Sequence, residues 1–174
     1  MSLACTPVNV LKAAIKQLSK EDGYTPDTYY ETPRGKMLDS VDVAKDPSKV
    51  GAVCAIGGVE HAIYKLCASA RSIDFERETY VMAEDGEEEL VGSLRERIAQ
   101  QLVPNVVDED PTSKGMKVYI TVMGILNKIA HQYTNEFGRR FNTVEEMTTE
   151  REKEDVLRVF RKALAKAEEV EAEA

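Results

Sequence analysis

Apolar side chains recur at helical spacing in several stretches of the chain, and the first two stretches begin at clear start signals. Thr6-Pro7 provides an N-cap hydroxyl and a proline at the first helical position, which predicts a first helix over residues 7–23. The apolar residues of this helix are Val10, Leu11, Ala14, Ile15 and Leu18. Asp46-Pro47 is a second pair of an N-cap residue and a proline, so a second helix is predicted from residue 46 to about residue 70.

Three more helices are predicted in the second half of the chain. Residues 88–102 carry leucine and isoleucine at helical spacing, and Ser113 can cap a fourth helix. That fourth helix is apolar almost all round, so it is expected to be the central buried helix. Two capping boxes, Thr143-x-x-Glu146 and Thr149-x-x-Glu152, precede a last helix that carries the apolar residues Val156, Phe160, Ala163, Leu164 and Ala167.

The helical pattern breaks between the first two helices. Residues 24–43 hold two prolines and Arg34-Gly35 between short strand-like pieces, which predicts a small β-hairpin near residues 28–38. Residues 72–86 fit neither pattern clearly. The expected fold is therefore mainly α: a single-domain bundle of about five helices over residues 1–168, followed by a frayed acidic tail over residues 169–174.

Charge narrows the range of partners. The 174 residues include 23 Lys and Arg against 31 Asp and Glu, for a net charge of −8. Proteins that bind the phosphate backbone are usually basic, so no nucleic-acid partner is expected. The acidic excess is concentrated in residues 84–89, 108–110 and 168–174, which are predicted to be solvated loops or ends.

The cysteines and apolar runs indicate a compartment. Cys5, Cys54 and Cys67 are an odd number, and no stretch resembles a secretory signal. The longest apolar run, residues 119–126, is far shorter than the ~20 residues of a membrane span. Reduced thiols, a cytoplasmic location and no membrane partner are the expectation.

The stretch AVCAIGGVEHAIYKL, residues 52–66, raises a question of chemistry. Cys54 and His61 lie seven residues apart, roughly 10 Å along a continuous helix, so a direct thiol–imidazole hydrogen bond is excluded there. The pair Gly57-Gly58 costs about 1 kcal/mol for each glycine in a helix. Close packing along a ridge of small residues would offset that cost, and a bound ligand or a helix kink are the alternatives. The residues assigned to this packing are Gly51, Ala55, Gly57, Gly58 and Ala62.

The second histidine, His131, allows a catalytic alternative. Cys54, His131 and Asn135 could reproduce the nucleophile, base and orienting amide of a thiol hydrolase, although no flanking motif supports this. A zinc site from Cys54, His61 and His131 lacks the usual ligand spacing, so no metal is expected. The phosphate-binding patterns GxxxxGK[ST] and GxGxxG are absent, so no cofactor is expected.

A basic spot is a candidate binding site. Arg139 and Arg140, with Arg34 and Arg71, could anchor an acidic partner; scattered surface charge is the alternative.

Three stretches together resemble a family of small uncharacterised proteins from actinobacteria and their phages, known only as a domain of unknown function. These are VLKAAIKQLSKEDGY, AVCAIGGVEHAI and YTNEFGRR…EDVLRVFRKAL. The family pattern has Gly-Trp or Gly-Tyr after the opening helix, matched by Gly23-Tyr24, and C-A-[LI]-G-[AG], matched at residues 54–58. The closing-helix pattern E-V-L-x-x-[LF]-x-x-A corresponds to residues 156–164.

The aromatic-Asn-Asp motif of that family is matched loosely, because residues 133–136 have one extra residue and Glu136 in place of aspartate. Residues 74–118 have no counterpart and would be an insertion, so the resemblance covers about two thirds of the chain. The resemblance implies no activity. It does imply that Cys54 is a buried structural thiol and that it meets the turn at residues 133–136.

Three classes of function follow from these observations. The first is a small non-catalytic interaction or accessory protein, of a kind that phages encode, which binds a host protein. The second is a thiol-dependent, hydrolase-like enzyme that uses Cys54 and His131. The third is an acidic mimic of nucleic acid, for which the carboxylates should line one elongated face. The oligomeric state is open, and a helix face left apolar after folding would indicate a homodimer.

Overall fold

Seven α-helices and two small antiparallel sheets make up the part of the chain that the computed structural model describes, residues 3–99 and 113–174. This confirms the mainly α class. The helices are α1 Pro7–Leu18, α2 Ser40–Lys45, α3 Ala55–Leu66, α4 Leu94–Ala99, α5 Lys114–Ala130, α6 Val144–Glu150 and α7 Lys153–Glu173. The strands are β1 Tyr30–Glu31, β2 Ala52–Val53, β3 Glu78–Met82 and β4 Glu88–Ser93.

The hydrophobic core draws on α1, α3, α5, α6 and α7, with α1 packed against both α3 and α7. The most completely buried helix is α3, in which every residue from Ala55 to Tyr64 is buried. The sequence predicts this place for α5, but α5 leaves Lys117 and Thr121 exposed. The reason lies in the neighbours, since α3 contacts α1, α2, α5 and α6 and the 3-10 turns before and after it.

Several helix ends lie where the sequence predicts them. Thr6 caps α1 by accepting a hydrogen bond from the backbone N–H of Asn9, and Ser113 caps α5 in the same way. Thr143 caps α6. The second predicted capping box is wrong, because Thr149 lies inside α6 and α7 begins after Glu152. α7 then continues through the predicted frayed tail to Glu173, where no glycine or proline interrupts it.

The second predicted helix begins nine residues too early. Asp46 caps only a short 3-10 turn, Pro47–Lys49. The chain then extends into β2, which pairs with β1 in the register Tyr30↔Val53. The N–H of Gly51 donates to the carbonyl of Glu31 at 2.7 Å. This pairing to a distant segment prevents a helix from forming before Ala55.

The predicted hairpin near residues 28–38 is present in reduced form. Glu31 and Met37 form one antiparallel bridge, and the N–H of Leu38 donates to the carbonyl of Tyr30 at 3.0 Å. Gly35 turns the chain with a positive φ of 81°. The main partner of β1 is nevertheless β2, which the local sequence could not indicate.

The third predicted helix, residues 88–102, is largely wrong. Its first half is β4, paired with β3, and only α4 is helical among its described residues; residues 100–102 lie outside them. The turn between the strands contains Asp85-Gly86, with Gly86 at a φ of 83°. Asp-Gly between apolar segments is a strong hairpin signal. In this stretch the hairpin forms although the leucines have helical spacing. The acidic residues 84–89 therefore belong to an exposed hairpin end, whereas residues 108–110 lie outside the described part.

The expectation of three reduced thiols is also corrected. Cys5 and Cys67 form a disulfide, with a Cα–Cα distance of 5.3 Å, and Cys54 alone is free. The end of α3 brings Cys67 beside the segment that precedes α1, which sequence spacing could not reveal. Of the helices that the structure describes, none combines the length and the apolar character that a bilayer crossing requires.

Candidate functional site

Cys54 occupies the N-cap of α3. Its Sγ accepts a hydrogen bond from the backbone N–H of Gly57 at 3.3 Å, and the residue is only 6% exposed. The longer helix predicted from the sequence would place this thiol two turns inside, where the field of the helix N-terminus does not reach it. The structure instead places the sulfur at the positive end of α3, the position at which thiolates are usually stabilised.

Burial nevertheless decides the protonation state of this thiol. Desolvation raises the pKa of Cys54 to about 12, which outweighs the opposing effect of the Gly57 N–H. The carboxylate of Glu60 raises it further. The sulfur is therefore a neutral thiol at any physiological pH, and a neutral thiol is a poor nucleophile and metal ligand.

A small cavity of about 170 Å³ lies beside Cys54. Two of its lining residues are hydrogen-bonded to each other, since the hydroxyl of Tyr29 donates to the carboxylate of Glu145 at 2.5 Å. The lining residues are Pro26, Asp27, Thr28, Tyr29, Cys54, Glu145, Thr148 and Thr149. They include neither a histidine nor any residue of the 133–136 turn, which the family resemblance places next to Cys54. α6 occupies that position instead.

Both histidines are engaged in structural hydrogen bonds. The Nε2–H of His61 donates to the carbonyl of Pro47 at 2.9 Å, and burial lowers the pKa of His61 to about 4. The Nδ1–H of His131 donates to the carbonyl of Phe141 at 3.0 Å. Each ring nitrogen is protonated there because a carbonyl can only accept.

Asn135 stabilises its own turn. Its Oδ1 accepts from the backbone N–H of Phe137 at 2.9 Å and of Arg139 at 3.0 Å. This is the local role that asparagine commonly plays in turns. Neither Cys54 nor His131 is hydrogen-bonded to it, so the structure does not assemble the predicted nucleophile, base and amide.

An ion pair that the sequence analysis missed lies close to Cys54. The guanidinium of Arg95 donates from Nε to Oε2 of Glu60 at 2.7 Å and from Nη2 to Oε1 at 2.6 Å. Both side chains are almost completely buried. Such a bidentate pair is the strongest form of the carboxylate–guanidinium interaction.

Tyrosines complete the environment of this pair. Tyr119 donates its hydroxyl proton to Oε2 of Glu60 at 2.8 Å, and Tyr30 donates to Oε1. The ring centroid of Tyr29 lies 3.4 Å from Cζ of Arg95. Burial and the Glu60 charge raise the pKa of Tyr30 and of Tyr119 well above the usual value. The tyrosines therefore stay protonated and act as donors.

The pair has one further charged neighbour. Nη1 of Arg95 lies 3.7 Å from the carboxylate of Glu76, which is about one-third exposed. Burial raises the pKa of the Glu76 carboxyl. Burial by itself would lower the pKa of Arg95. The charge of the Glu60 carboxylate outweighs burial, so the pKa of Arg95 is raised. A guanidinium so held is permanently charged, and it cannot serve as an acid or a base.

A signal for Glu60 does exist in the sequence. It is the one carboxylate in segment 55–64, which is mostly apolar, and a buried carboxylate needs a cationic partner. The partner could not be named, because Arg95 follows a hairpin that the leucine spacing wrongly predicts to be a helix.

The small residues assigned to helix packing have separate roles. Gly51 lies before β2, outside the helix. A methyl group on Gly57 would overlap the carbonyl oxygen of Tyr29, so the segment just before β1, not a helix, approaches α3 there. Gly58 faces Leu18 of α1 and Val53 at ordinary contact distances. Ala55 and Ala62 are both buried.

The candidate basic spot is exposed. Arg139 and Arg140 follow a turn whose Gly138 has a φ of 75°, and Phe137 in that turn is 79% exposed. Arg34 and Arg71 are also exposed.

Within the described residues, no group of three or more His, Cys, Asp or Glu could hold a metal ion.

Comparison of the chain with protein-family models, with curated proteins and with solved structures finds no match.

Proposed function

We propose that this protein acts by binding another protein and has no catalytic activity of its own. The observation that carries the proposal is an apolar face on the β3–β4 hairpin, made of Tyr80, Met82 and Leu90, which are 49%, 67% and 58% exposed. Large apolar side chains grouped on a surface commonly mark a contact with a partner. The resemblance to phage and actinobacterial proteins favours a host protein as that partner.

The chemistry of the interior supports the same proposal. Cys54 is buried with a raised pKa, and both histidines donate to backbone carbonyls. Glu60 and Arg95 neutralise each other, and neither residue lines the cavity beside Cys54. A nucleophile paired with a free base, the minimum for covalent catalysis, has no counterpart among these groups.

A homodimer has less support. The exposed large apolar residues of the described helices are Val41 on α2 and Val170 on α7, so neither helix presents an apolar face. We therefore propose a heterologous partner.

Affinity capture tests the proposal. The immobilised protein, incubated with an extract of its own cells, is expected to retain one partner in stoichiometric amount, and the reconstituted pair should co-elute on size exclusion. Baits carrying Cys54→Ala or His131→Ala should retain the same partner equally well. Baits carrying Arg139→Glu and Arg140→Glu test the basic spot as a second contact. Capture of no stoichiometric partner would contradict the proposal.

Alkylation of Cys54 tests the alternative that the protein is a thiol-dependent enzyme. Iodoacetamide at neutral pH is expected to add no label to the folded protein, because burial keeps Cys54 as a neutral thiol. Unfolding without reductant should expose one thiol, and unfolding with reductant should expose three. Intact mass counts the labels. A label on the folded protein would revive the hydrolase-like alternative.

The Cys5–Cys67 disulfide supports a proposal about the compartment. Disulfides persist in oxidising environments and are rare where thiols are kept reduced. We therefore propose a compartment that permits disulfides, in place of the cytoplasmic location predicted from the sequence. The protein's own cells are lysed in iodoacetamide, and the protein is then unfolded in the same reagent without reductant. One alkylated cysteine in total is expected; three alkylated cysteines would support the cytoplasmic location instead.

A further inference from the structure

One face of the β3–β4 hairpin carries three exposed apolar side chains, and its geometry follows from the strand register. Tyr80 pairs with Leu90, and Met82 pairs with Glu88. Because side chains alternate along a strand, Tyr80 and Met82 lie on the same side of the hairpin. Cross-strand pairing adds Leu90, opposite Tyr80, and the carboxylate Glu88, opposite Met82, to that side. The three apolar side chains are Tyr80, Met82 and Leu90. These three side chains, called here the hairpin face, are each about half exposed or more.

The hairpin is anchored to the body of the protein at its base. The N–H of Leu94 donates to the carbonyl of Arg77 at 2.8 Å, and the N–H of Arg95 donates to the carbonyl of Phe75 at 2.9 Å. Leu94, Arg95 and Phe75 are all buried. Tyr80 is also held in place, because its hydroxyl donates to Glu78 at 2.9 Å. The hairpin face is thus presented in a defined orientation, which lowers the entropic cost of binding.

Carboxylates surround the hairpin face. Residues 78–93 carry six acidic side chains and no basic one. They are Glu78, Glu84, Asp85, Glu87, Glu88 and Glu89. Two copies of this chain would bring these charges together, and juxtaposed like charges oppose association. The charge pattern therefore selects a partner of the opposite sign.

We infer that the hairpin face is a docking surface for a partner protein that presents an apolar strip flanked by lysine or arginine. This inference rests on the proposed function and specifies the partner's chemistry. The apolar contact supplies most of the binding free energy. The carboxylates supply long-range attraction, so association should slow as salt shortens the range of the field.

A synthetic amphipathic helix of leucine and lysine is the probe for this chemistry. Its fluorescence anisotropy, titrated with the full-length protein, gives the Kd. The variant that combines Tyr80→Ser, Met82→Ser and Leu90→Ser is expected to raise the Kd about tenfold or more, because it removes a cluster of apolar anchors. Raising NaCl from about 0.05 to about 0.3 M should weaken binding by the wild type as well.

Matched variants separate the hairpin face from general charge and apolarity. The apolar control combines three substitutions at exposed sites elsewhere: Met37→Ser, Val41→Ser and Val170→Ser. The charge variant replaces four glutamates of the hairpin with Gln: Glu84, Glu87, Glu88 and Glu89. Its control replaces four glutamates near the end of α7 with Gln: Glu168, Glu169, Glu171 and Glu173. Each control should bind the probe within about twofold of the wild type, a difference too small to mark a contact.

Chemical-shift mapping of the wild type with the same probe keeps the inference testable if a variant fails to fold. Shifts concentrated in residues 78–93 support it. Shifts confined to other surfaces, or no binding, overturn it, while a partner captured as described above would leave the proposed function standing. Binding that the charge variant abolishes and the three serines leave unchanged also overturns it, and favours the acidic-mimic alternative.

Discussion

At the residue scale, the carboxylate of Glu60 is fully satisfied. Each of its two oxygens accepts one hydrogen bond from Arg95 and one from a tyrosine hydroxyl. This arrangement explains how a charge is tolerated in α3 among apolar neighbours. It also means that the Glu60 carboxylate has no acceptor position left for a substrate.

Removal of either partner of this pair should be costly. Glu60→Gln or Arg95→Met leaves the other charge buried and unpaired, so each is expected to lower the free energy of unfolding by about 3–5 kcal/mol. The double variant Glu60→Leu with Arg95→Met should cost less than the sum. Urea denaturation measures the free energy of unfolding of each variant. The exposed pair Lys166–Glu169 is the control, and its removal should change stability by less than about 1 kcal/mol.

A second prediction at this scale concerns His61 and pH. Burial lowers the pKa of His61 from its ordinary value of 6.5 to about 4, so the unfolded chain binds the proton first as the pH falls. Its contribution to stability is complete above about pH 6.5 and is lost as the pH falls towards 4, by roughly 3 kcal/mol at most. His61→Gln should flatten this part of the curve of unfolding free energy against pH. The exposed His131→Gln is the matched control, and equal slopes for both variants would contradict the prediction.

At the scale of elements, the position of α3 is set by what lies against it. The segment around Tyr29 crosses its first turn so closely that only glycine fits at residue 57, whereas residue 58 has room for a methyl group. The two adjacent glycines, which look alike in the sequence, are thus required to different degrees.

This difference can be measured on one helix. Gly57→Ala should destabilise the protein by about 2 kcal/mol or more, because its methyl group would force the Tyr29 backbone away. Gly58→Ala should be neutral or stabilising by up to about 1 kcal/mol, because alanine is the better helix former. Thermal unfolding of the two variants gives the comparison. Equal destabilisation by both would show that the close approach to Tyr29 is not what requires glycine.

At the scale of the whole molecule, the Cys5–Cys67 disulfide joins the segment before α1 to the end of α3. The two cysteines are 62 residues apart, so the bond constrains a large part of the unfolded chain. It links α1 and α3, which also pack against each other in the core.

Loss of this bond should lower stability without changing the fold. The variant Cys5→Ser with Cys67→Ser is expected to lose about 2–4 kcal/mol, as is the wild type in reductant. Reductant should have no effect on the variant, which provides the internal control. Denaturant midpoints with and without reductant measure the loss. An unchanged wild-type midpoint in reductant would mean that the bond does not form.

The sequence by itself determined the features that depend on neighbouring residues. Thr6-Pro7 and Ser113 mark helix starts correctly, and the mainly α class follows from apolar spacing, because caps and periodicity act within one or two turns. The tertiary structure decided what depends on distant partners. β2 pairs with β1 and delays α3, Arg95 meets Glu60 across 35 residues, and Cys67 reaches Cys5. Long-range pairing leaves little trace in local sequence, and so the candidate catalytic residues, plausible in the sequence, occupy structural positions in the fold.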